Sequence, residues 1–366
     1  MIHTSAPGKL MISGEWAVLE GYPCIVAAVN RRVHCTIEEK DVDEAIEIEL
    51  KDFNINEKAL FANNRLTIIS GDNEKLKFAK AAVEIALQYI GKPKTFRLVT
   101  WNEKTEIKID KGMKKLGFGS SSAAVVAIVS AVLAFHGIGI SSVPEKIRVY
   151  KLSAIAHYRA QGKIGSAFDI AAATFGGVIT YKRFDAQWLE QELKKHSLRE
   201  TVNRRWPQFS AEAIDLPKGI NFAAAWTGKD ASTAGMVQKM NAFKEIDNKT
   251  YRNIYSNIGY VVEELADAIK SNDKDGIIKL INENHMLLSE LTKKSKIEIE
   301  TKELRKLHDI AGKYGAGKLS GAGGGDCGIG ICFDKSNAEK MRRAWSANGL
   351  QVIDVSIDND GVTLHA

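Results

Sequence analysis

The sequence predicts an α+β chain with two domains. Its 366 residues are more than one hydrophobic core usually serves. Short strand-like segments come first, and a glycine- and serine-rich loop then leads into an apolar helix, without the regular strand–helix alternation of a doubly wound sheet. The second half mixes helical segments with short strands. We therefore place the domains at 1–215 and 216–366, with the polar stretch 185–215 as the crossover between them.

The expected elements follow from periodicity and from turn residues. Residues 3–18 predict a strand, a tight turn carrying Lys9 and a second strand. The further strands expected are 24–29, 33–38, 45–50, 95–100, 106–109, 176–181, 221–226, 329–333 and 352–357. The helices expected are 74–90, 123–135, 144–161, 251–270, 274–291, 301–314 and 338–345.

Composition argues against several classes of protein. The chain has 51 basic and 45 acidic residues, and the lysines are interleaved with glutamates rather than gathered on one arm, as a nucleic-acid binder would have them. The four cysteines lack metal-ligand spacing, which favours reduced thiols in the cytoplasm. The longest apolar run, 123–135, is shorter than the roughly 20 residues that cross a bilayer. We expect a cytoplasmic protein with no nucleic-acid or membrane partner.

The stretch 115–124, Lys-Leu-Gly-Phe-Gly-Ser-Ser-Ser-Ala-Ala, carries the strongest functional signal. Glycine lets a backbone loop approach a ligand closely, and serine is a favoured helix N-cap. Free amides and the positive end of the helix dipole would then meet at one point, which suits a phosphate. The plainer alternative is a loop with an ordinary serine cap.

A second glycine cluster, Gly321–Gly325, also predicts an anion-binding site, because consecutive glycines expose amides that form a nest. On its own it is equally typical of a flexible hairpin loop. Neither cluster matches the P-loop or the dinucleotide-binding fingerprint. Two such clusters in one chain favour nucleotide phosphates held by another kind of loop.

Two charged residues are candidates for chemistry on a phosphate. Asp169 lies between Phe168 and Ile170 in an apolar segment, where a carboxylate either caps a helix or belongs to a site. Lys9 is either a solvated turn residue or a cation for transferring charge. A pairing with Lys9 would keep Asp169 ionised. His157 and His285 are interpreted as structural or surface residues.

Three segments in this order resemble the motifs of the GHMP kinase superfamily, and they span essentially the whole chain. They are Pro-Gly-Lys-Leu with Gly-Glu-Trp-Ala-Val-Leu near residue 15, Gly-Phe-Gly-Ser-Ser-Ser-Ala-Ala at 117–124, and Ser-Gly-Ala-Gly-Gly-Gly-Asp at 320–326. Within the superfamily, Gly14-Glu15-Trp16 and the segment 161–173 are most similar to the eukaryotic-type phosphomevalonate kinases.

The resemblance implies a fold and an activity. The N-terminal half would resemble domain 2 of ribosomal protein S5, with a left-handed βαβ crossover, and the C-terminal half would be ferredoxin-like. ATP and Mg²⁺ would serve the phosphorylation of (R)-5-phosphomevalonate to (R)-5-diphosphomevalonate, in the mevalonate route to isoprenoids. The alternatives are mevalonate kinase, another GHMP small-molecule kinase, or a non-catalytic nucleotide-binding protein on this fold. The chain would act as a monomer or a homodimer on a small-molecule substrate.

The resemblance also implies roles for individual residues. Asp169 and Lys9 would be catalytic, and Ser121 would contact Mg²⁺. The residues implied for ATP are Lys115, Gly117, Gly119, Ser120, Ser121 and Ser122. Those implied for the acceptor are Lys163, Ser166, Arg183, Gly323 and Gly324.

The chain also departs from the family pattern. Phe118 stands where leucine is usual, and Ala167 stands where many members have glycine, so we expect an ordinary L-residue conformation at 167. Some mevalonate kinases have a Mg²⁺-binding glutamate about eleven residues before the aspartate. Here that neighbourhood reads Ala156-His157-Tyr158-Arg159.

Overall fold

The computed structural model describes residues 1–40, 45–71, 73–103, 106–109, 112–162, 165–229 and 233–365. The strands are β1 Ile2–Ser13, β2 Cys24–Glu39, β3 Ile46–Leu50, β4 Ile55–Ala62, β5 Arg65–Ile68, β6 Phe96–Asn102, β7 Glu106–Ile109, β8 Gly112–Lys115, β9 Val178–Lys182, β10 Ser210–Ala213, β11 Asn221–Trp226, β12 Ala316–Leu319, β13 Cys327–Cys332, β14 Gln351–Ile353 and β15 Thr363–His365. The helices are α1 Lys77–Ile90, α2 Ser120–Phe135, α3 Val143–Ala160, α4 Phe168–Phe175, α5 Ala186–Lys195, α6 Leu198–Asn203, α7 Thr233–Ile246, α8 Asn248–Lys270, α9 Lys274–Ser295, α10 Lys302–Ala311 and α11 Lys335–Ala347. Within these ranges, none of the helices is both long enough and apolar enough to span a membrane.

The N-terminal half is built on a sheet with the strand order β10-β9-β2-β6-β3-β4-β5, and β1 pairs with both β2 and β15. Strand β2 alternates buried Val33, Cys35 and Ile37 with more exposed residues, the pattern of a sheet with one face covered. The helix α2 packs on β1 and β2, and α1 and α3 pack on α2. Because α2 is enclosed on several sides, it is apolar around most of its circumference.

The C-terminal half contains an antiparallel sheet with the order β12-β13-β11-β14. Helices α9, α10 and α11 pack on this sheet, and α8 pairs with α9. The spacing of Leu304, Leu307 and Ile310 puts the apolar side of α10 against β12 and β13. The two halves together confirm the expected α+β class.

The first motif differs from its prediction. A turn between two strands was expected, but β1 runs unbroken for 12 residues and Lys9 lies within it. The pairing of β1 with β2 shifts register between Pro7 and Gly8, so this dipeptide makes a bulge rather than a turn. Gly8 is needed there because a Cβ would lie 2.7 Å from the Phe118 carbonyl oxygen.

The stretch 185–215, predicted as the crossover between the domains, has secondary structure of its own. It contains α5, α6 and β10, and β10 pairs antiparallel with β9 in the first sheet. Trp206 is buried and donates its Nε1–H to the Thr201 carbonyl. The apolar residues among the charges therefore attach this stretch to the N-terminal half.

The end of the described chain also returns to the N-terminal half. Strand β15 pairs with β1, and the Gly177 amide donates to the Asp358 carbonyl at 2.7 Å. A Cβ on Gly361 would lie 2.5 Å from the Thr174 carbonyl oxygen, so glycine permits this close approach. Strand β15, which follows the predicted boundary at 216, thus belongs to the sheet of the first half.

A buried ion pair joins the two halves. Lys318 at the end of β12 donates to Glu15, which follows β1, and both side chains have no exposed area. Burial raises the pKa of Glu15 and lowers the pKa of Lys318, although each partner opposes the other's shift. Nearby, the Ser320 hydroxyl accepts from the Met11 amide at 2.9 Å and donates to the Met11 carbonyl at 3.0 Å.

We predict that Lys318→Met lowers the free energy of unfolding by about 3–5 kcal/mol, because it leaves the Glu15 carboxylate buried without a partner. The double variant Glu15→Leu/Lys318→Met removes both charges, and we expect it to recover most of that loss. Urea denaturation followed by circular dichroism measures both. A double variant that is as unstable as Lys318→Met would contradict this account.

Candidate active site

A cleft of about 620 Å³ lies where β1, the start of α2, the start of α4 and the loop after β12 meet. Its lining brings together parts of all three sequence motifs, although they are separated by more than 300 residues along the chain. The polar and glycine residues that line it include Lys9, Glu15, Gly117, Gly119, Ser120, Ser121, Gln161, Ser166, Asp169, Ser320, Gly321, Gly323 and Asp326.

The helix α2 starts at the cleft, but serine is not its N-cap as the sequence suggested. Gly119 occupies that position with φ +74°, a left-handed conformation that glycine adopts without strain. A Cβ at Gly119 would lie 3.2 Å from Lys9 Cγ and 3.8 Å from Asp169 Cβ. The two predicted catalytic residues therefore flank the positive end of α2.

Lys9 reaches the cleft from the middle of β1. Its Nζ donates to the Gly117 carbonyl at 3.1 Å and lies 5.8 Å from the centre of the Phe168 ring. On its other side, a Cβ at Gly321 would lie 3.8 Å from the same Nζ. The ammonium group thus lies between the two glycine loops, which are residues 117–119 and 321–325.

Asp169 is in the first turn of α4 and is held by two hydrogen bonds. Its Oδ1 accepts from the Ile170 amide at 3.0 Å, and its Oδ2 accepts from the Ser122 hydroxyl. The Ser122 oxygen lies 3.2 Å from His157 Nε2. Because Ser122 gives its proton to the carboxylate, His157 must donate from Nε2 to Ser122, which fixes the imidazole tautomer.

His157 is buried and its ring lies 5.0 Å from the ring of Phe78. Burial lowers its pKa, although the charge of Asp169 opposes this, so the ring is neutral near pH 7. Ser122 and His157 therefore form a buried chain behind Asp169. Ser122 was predicted to bind ATP and His157 to be a structural or surface residue, and no spacing in the sequence marks their contact.

The backbone before Asp169 differs from expectation. Ala167 has φ +61°, a left-handed conformation, and not an ordinary L-residue conformation. This costs about 1–2 kcal/mol for a residue with a Cβ. The neighbouring Ser166 carbonyl accepts from the Tyr181 hydroxyl, which also contacts the Tyr150 hydroxyl at 2.8 Å. These buried tyrosines hold the strained segment in place.

A hydrogen bond joins the two glycine loops. The Gly117 amide donates to Asp326 Oδ1 at 3.1 Å, and a Cβ on Gly117 would overlap the same carboxylate. The Gly324 amide donates to the Ile299 carbonyl at 2.7 Å. Gly323 lines the cleft, with the Ile299 backbone directly behind it. Asp326, for which no role was predicted, joins the two loops.

The residues predicted for the acceptor have different locations. Ser166 lines the cleft and is 3% exposed. Arg183 donates to the Leu19 carbonyl at 3.0 Å and so contacts the short 3₁₀ helix Ala17–Glu20 between β1 and β2. Lys163 lies outside the described residues, and so does the side chain of Lys115, whose backbone ends β8.

Comparison with known proteins places these features in a family. Residues 77–177 match the model of the GHMP kinases N terminal domain, and residues 265–351 match the model of the GHMP kinases C terminal domain. A Lin0012 protein from Listeria innocua has a similar structure, with a TM-score of 0.88 and 31% identity over 100% of this chain and 99% of that one.

Curated relatives extend over the same length. The phosphomevalonate kinase of Saccharolobus solfataricus is 30% identical over 100% of both chains. That of Streptomyces sp. (strain CL190) is 29% identical over 98% of this chain and 97% of its own. The mevalonate kinase of Methanocaldococcus jannaschii is 28% identical over 92% of this chain and 93% of its own. The chain belongs to the GHMP kinase family and has its two-domain fold.

Proposed function

We propose that this kinase transfers the γ-phosphoryl group of ATP to the phosphate of (R)-5-phosphomevalonate, giving (R)-5-diphosphomevalonate and ADP. The observation that carries the choice of substrate is the full-length similarity to two curated phosphomevalonate kinases, at 30% and 29% identity. The cleft supports the reaction type, because Lys9 and Asp169 flank the start of α2.

The ATP phosphates would lie at the start of α2. The amides of Ser120 and Ser121 are in the first helical turn, where the helix itself offers no acceptor. Gly119 and Gly321 leave space for the phosphate oxygens on either side of Lys9. Because the Gly117 amide donates to Asp326, Gly117 contributes shape and its carbonyl rather than a free donor.

Mg²⁺ prefers oxygen ligands, and the cleft offers the Ser121 hydroxyl and the Asp169 carboxylate. Both fit the ion, whereas the Glu15 carboxylate in the same wall is already paired with Lys318. When bound, Mg²⁺ would neutralise part of the charge of the ATP phosphates. The Mg²⁺-binding glutamate of some mevalonate kinases would fall near His157 in this chain, and His157 is hydrogen-bonded to Ser122.

The acceptor in this reaction is a phosphate, which is largely ionised near neutral pH. Asp169 therefore has little need to remove a proton, and its main task is to position the acceptor and to balance the charge of Lys9. The hydrogen bonds from Ser122 and Ile170 fix the direction of the carboxylate before the substrate binds. Such preorganised positioning and charge supply most of the catalysis in phosphoryl transfer.

Mevalonate is the second candidate acceptor. The similarity to the mevalonate kinase of Methanocaldococcus jannaschii, 28% identical, favours it. Part of the cleft wall is also apolar, formed by Trp16, Val18, Leu19 and Val237. With an alcohol as the acceptor, Asp169 would also have to accept its proton.

The first test is a comparison of acceptors. With ATP and Mg²⁺, coupled ADP-release assays on phosphomevalonate, mevalonate and homoserine should give a kcat/KM at least about tenfold higher for phosphomevalonate, which is about 1.4 kcal/mol of preference. A tenfold preference for mevalonate would overturn the proposed acceptor while retaining the reaction type. No ADP release with any of the three would favour a different acceptor or a binding protein.

The second test removes the charge of Asp169. We expect Asp169→Asn to lower kcat by about 10²–10³-fold, because the acceptor loses an oriented anion. The affinity for ATP, measured by calorimetry without Mg²⁺, should change by less than about threefold, since the start of α2 is unaltered. Near-normal turnover in this variant would show that the carboxylate is not catalytic.

The third test concerns the residues behind Asp169. Ser122→Ala removes the donor to Oδ2, and we expect kcat to fall about tenfold with the KM for ATP nearly unchanged. Ser130→Ala is the matched control, because Ser130 is buried in the same helix and has no hydrogen-bond partner among the described residues. A rise in the KM for ATP, with kcat preserved, would instead support the direct ATP contact predicted from the sequence.

A further inference from the structure

Three histidines from distant parts of the chain meet on one face of the first sheet. His3 lies on β1, His34 on β2 and His365 on β15, and strand pairing sets His3 opposite His365 and Ser5 opposite His34. One ring nitrogen of each histidine lies within 4.8 Å of one nitrogen of each of the others. The cluster is separate from the residues that line the cleft.

The hydrogen bonds around His34 leave the lone pair of one ring nitrogen available to bind a metal ion. Its Nε2 lies 2.9 Å from Glu103 Oε2, so this nitrogen carries the proton that it donates to the carboxylate. The lone pair is then on Nδ1, which lies 3.0 Å from His3 Nε2. A carboxylate behind a histidine in this way is the usual support for a metal-binding imidazole.

The spacing of the nitrogens suits a transition-metal ion. Two imidazole nitrogens bound to one tetrahedral zinc, at about 2.0–2.1 Å each, are about 3.3 Å apart. The His3 and His34 nitrogens are already at 3.0 Å. His365 stacks on His3 with ring centres 4.3 Å apart, and one of its nitrogens lies within 4.8 Å of the other two. Its Nε2 contacts the Ser5 hydroxyl at 2.7 Å, and this ring would have to turn toward the ion to complete the set.

The surroundings of the cluster also allow an ion to bind. Arg32 donates to Ser5 Oγ at 2.8 Å beside the cluster, and its charge is paired with Asp358. All three rings are partly exposed, so an ion can enter from solvent.

We propose that His3, His34 and His365 bind one divalent transition-metal ion of borderline softness, for which Zn²⁺ is the reference, with Glu103 as the support behind His34. Imidazole ligands select zinc, copper, nickel or cobalt over Mg²⁺, so this site is distinct in chemistry from the cleft. A bound ion would fasten β15 to β1 and β2. The proposal is independent of the acceptor that the kinase uses.

The test uses the full chain without a polyhistidine tag, stripped of metal with a chelator and titrated with ZnCl₂ by calorimetry. We expect one zinc per chain and a rise in Tm of at least about 3 °C when zinc is in excess. Each of His34→Gln and His365→Gln should lower the affinity at least tenfold, and Glu103→Gln should lower it by about 10–100-fold. The four cysteines are buried and do not compete for the ion.

His196→Gln is the matched control, because His196 follows α5, away from the cluster, and this variant should bind zinc like the parent chain. His365 is partly exposed, so its replacement leaves the core intact, and circular dichroism verifies folding of each variant. Binding of Co²⁺ with the intense visible spectrum of tetrahedral coordination would support the proposal. Less than one zinc per chain in the parent, or unchanged affinity in both His34→Gln and His365→Gln, would overturn it.

Discussion

The buried pair of Glu15 and Lys318 is the contact on which the cleft depends. Both side chains lack exposed area, and an unpaired buried charge would destabilise the fold, so the ion pair must stay formed. It therefore connects the end of β1 to the end of β12. Ser320 makes two further bonds to Met11 beside it. Lys9 precedes this junction by a few residues and Gly321 follows it directly. The Glu15–Lys318 pair and the Ser320–Met11 hydrogen bonds therefore fix the distance between Lys9 and the second glycine loop. This matters because a displacement of about 1 Å can greatly slow group transfer.

The glycine loops are rigid for a related reason. A glycine-rich loop that only exposed amides would be mobile, and it would lose entropy when a phosphate bound. Here the Gly117 amide is held by Asp326 and the Gly324 amide by Ile299, so the loops support each other before any ligand arrives. Asp169 is also oriented before a ligand binds, because Ser122 donates a hydrogen bond to its carboxylate and His157 in turn holds Ser122. The strained Ala167 beside it persists because buried tyrosines fix its neighbour.

Sequence reasoning succeeded where one segment contained its own signal. The apolar period of α1, α3, α8 and α9 predicted these helices, and the ordered motifs predicted the GHMP fold. It failed where the outcome depended on a distant partner. Lys9 is in a strand rather than a turn because β2 continues to pair beyond the Pro7–Gly8 bulge. The short strands β12 and β15 have too few residues for a period, and α5 and α6 are too polar to stand out from a linker. Asp169 and Lys9 were named from motifs, whereas the contact between Ser122 and His157 joins two helices and leaves no trace in spacing.

The position of β15 has a consequence for how the protein is made. His3 pairs with His365, so the third residue of the chain finds its neighbour among the last residues described. On a ribosome, β1 can pair with β2 early, yet its other edge stays open until β15 has emerged. An open edge is a template for pairing with other chains, and contacts of such long range form slowly. Burial of that edge therefore waits until every element between β1 and β15 has been synthesised, and until then the open edge of β1 is exposed to misassociation.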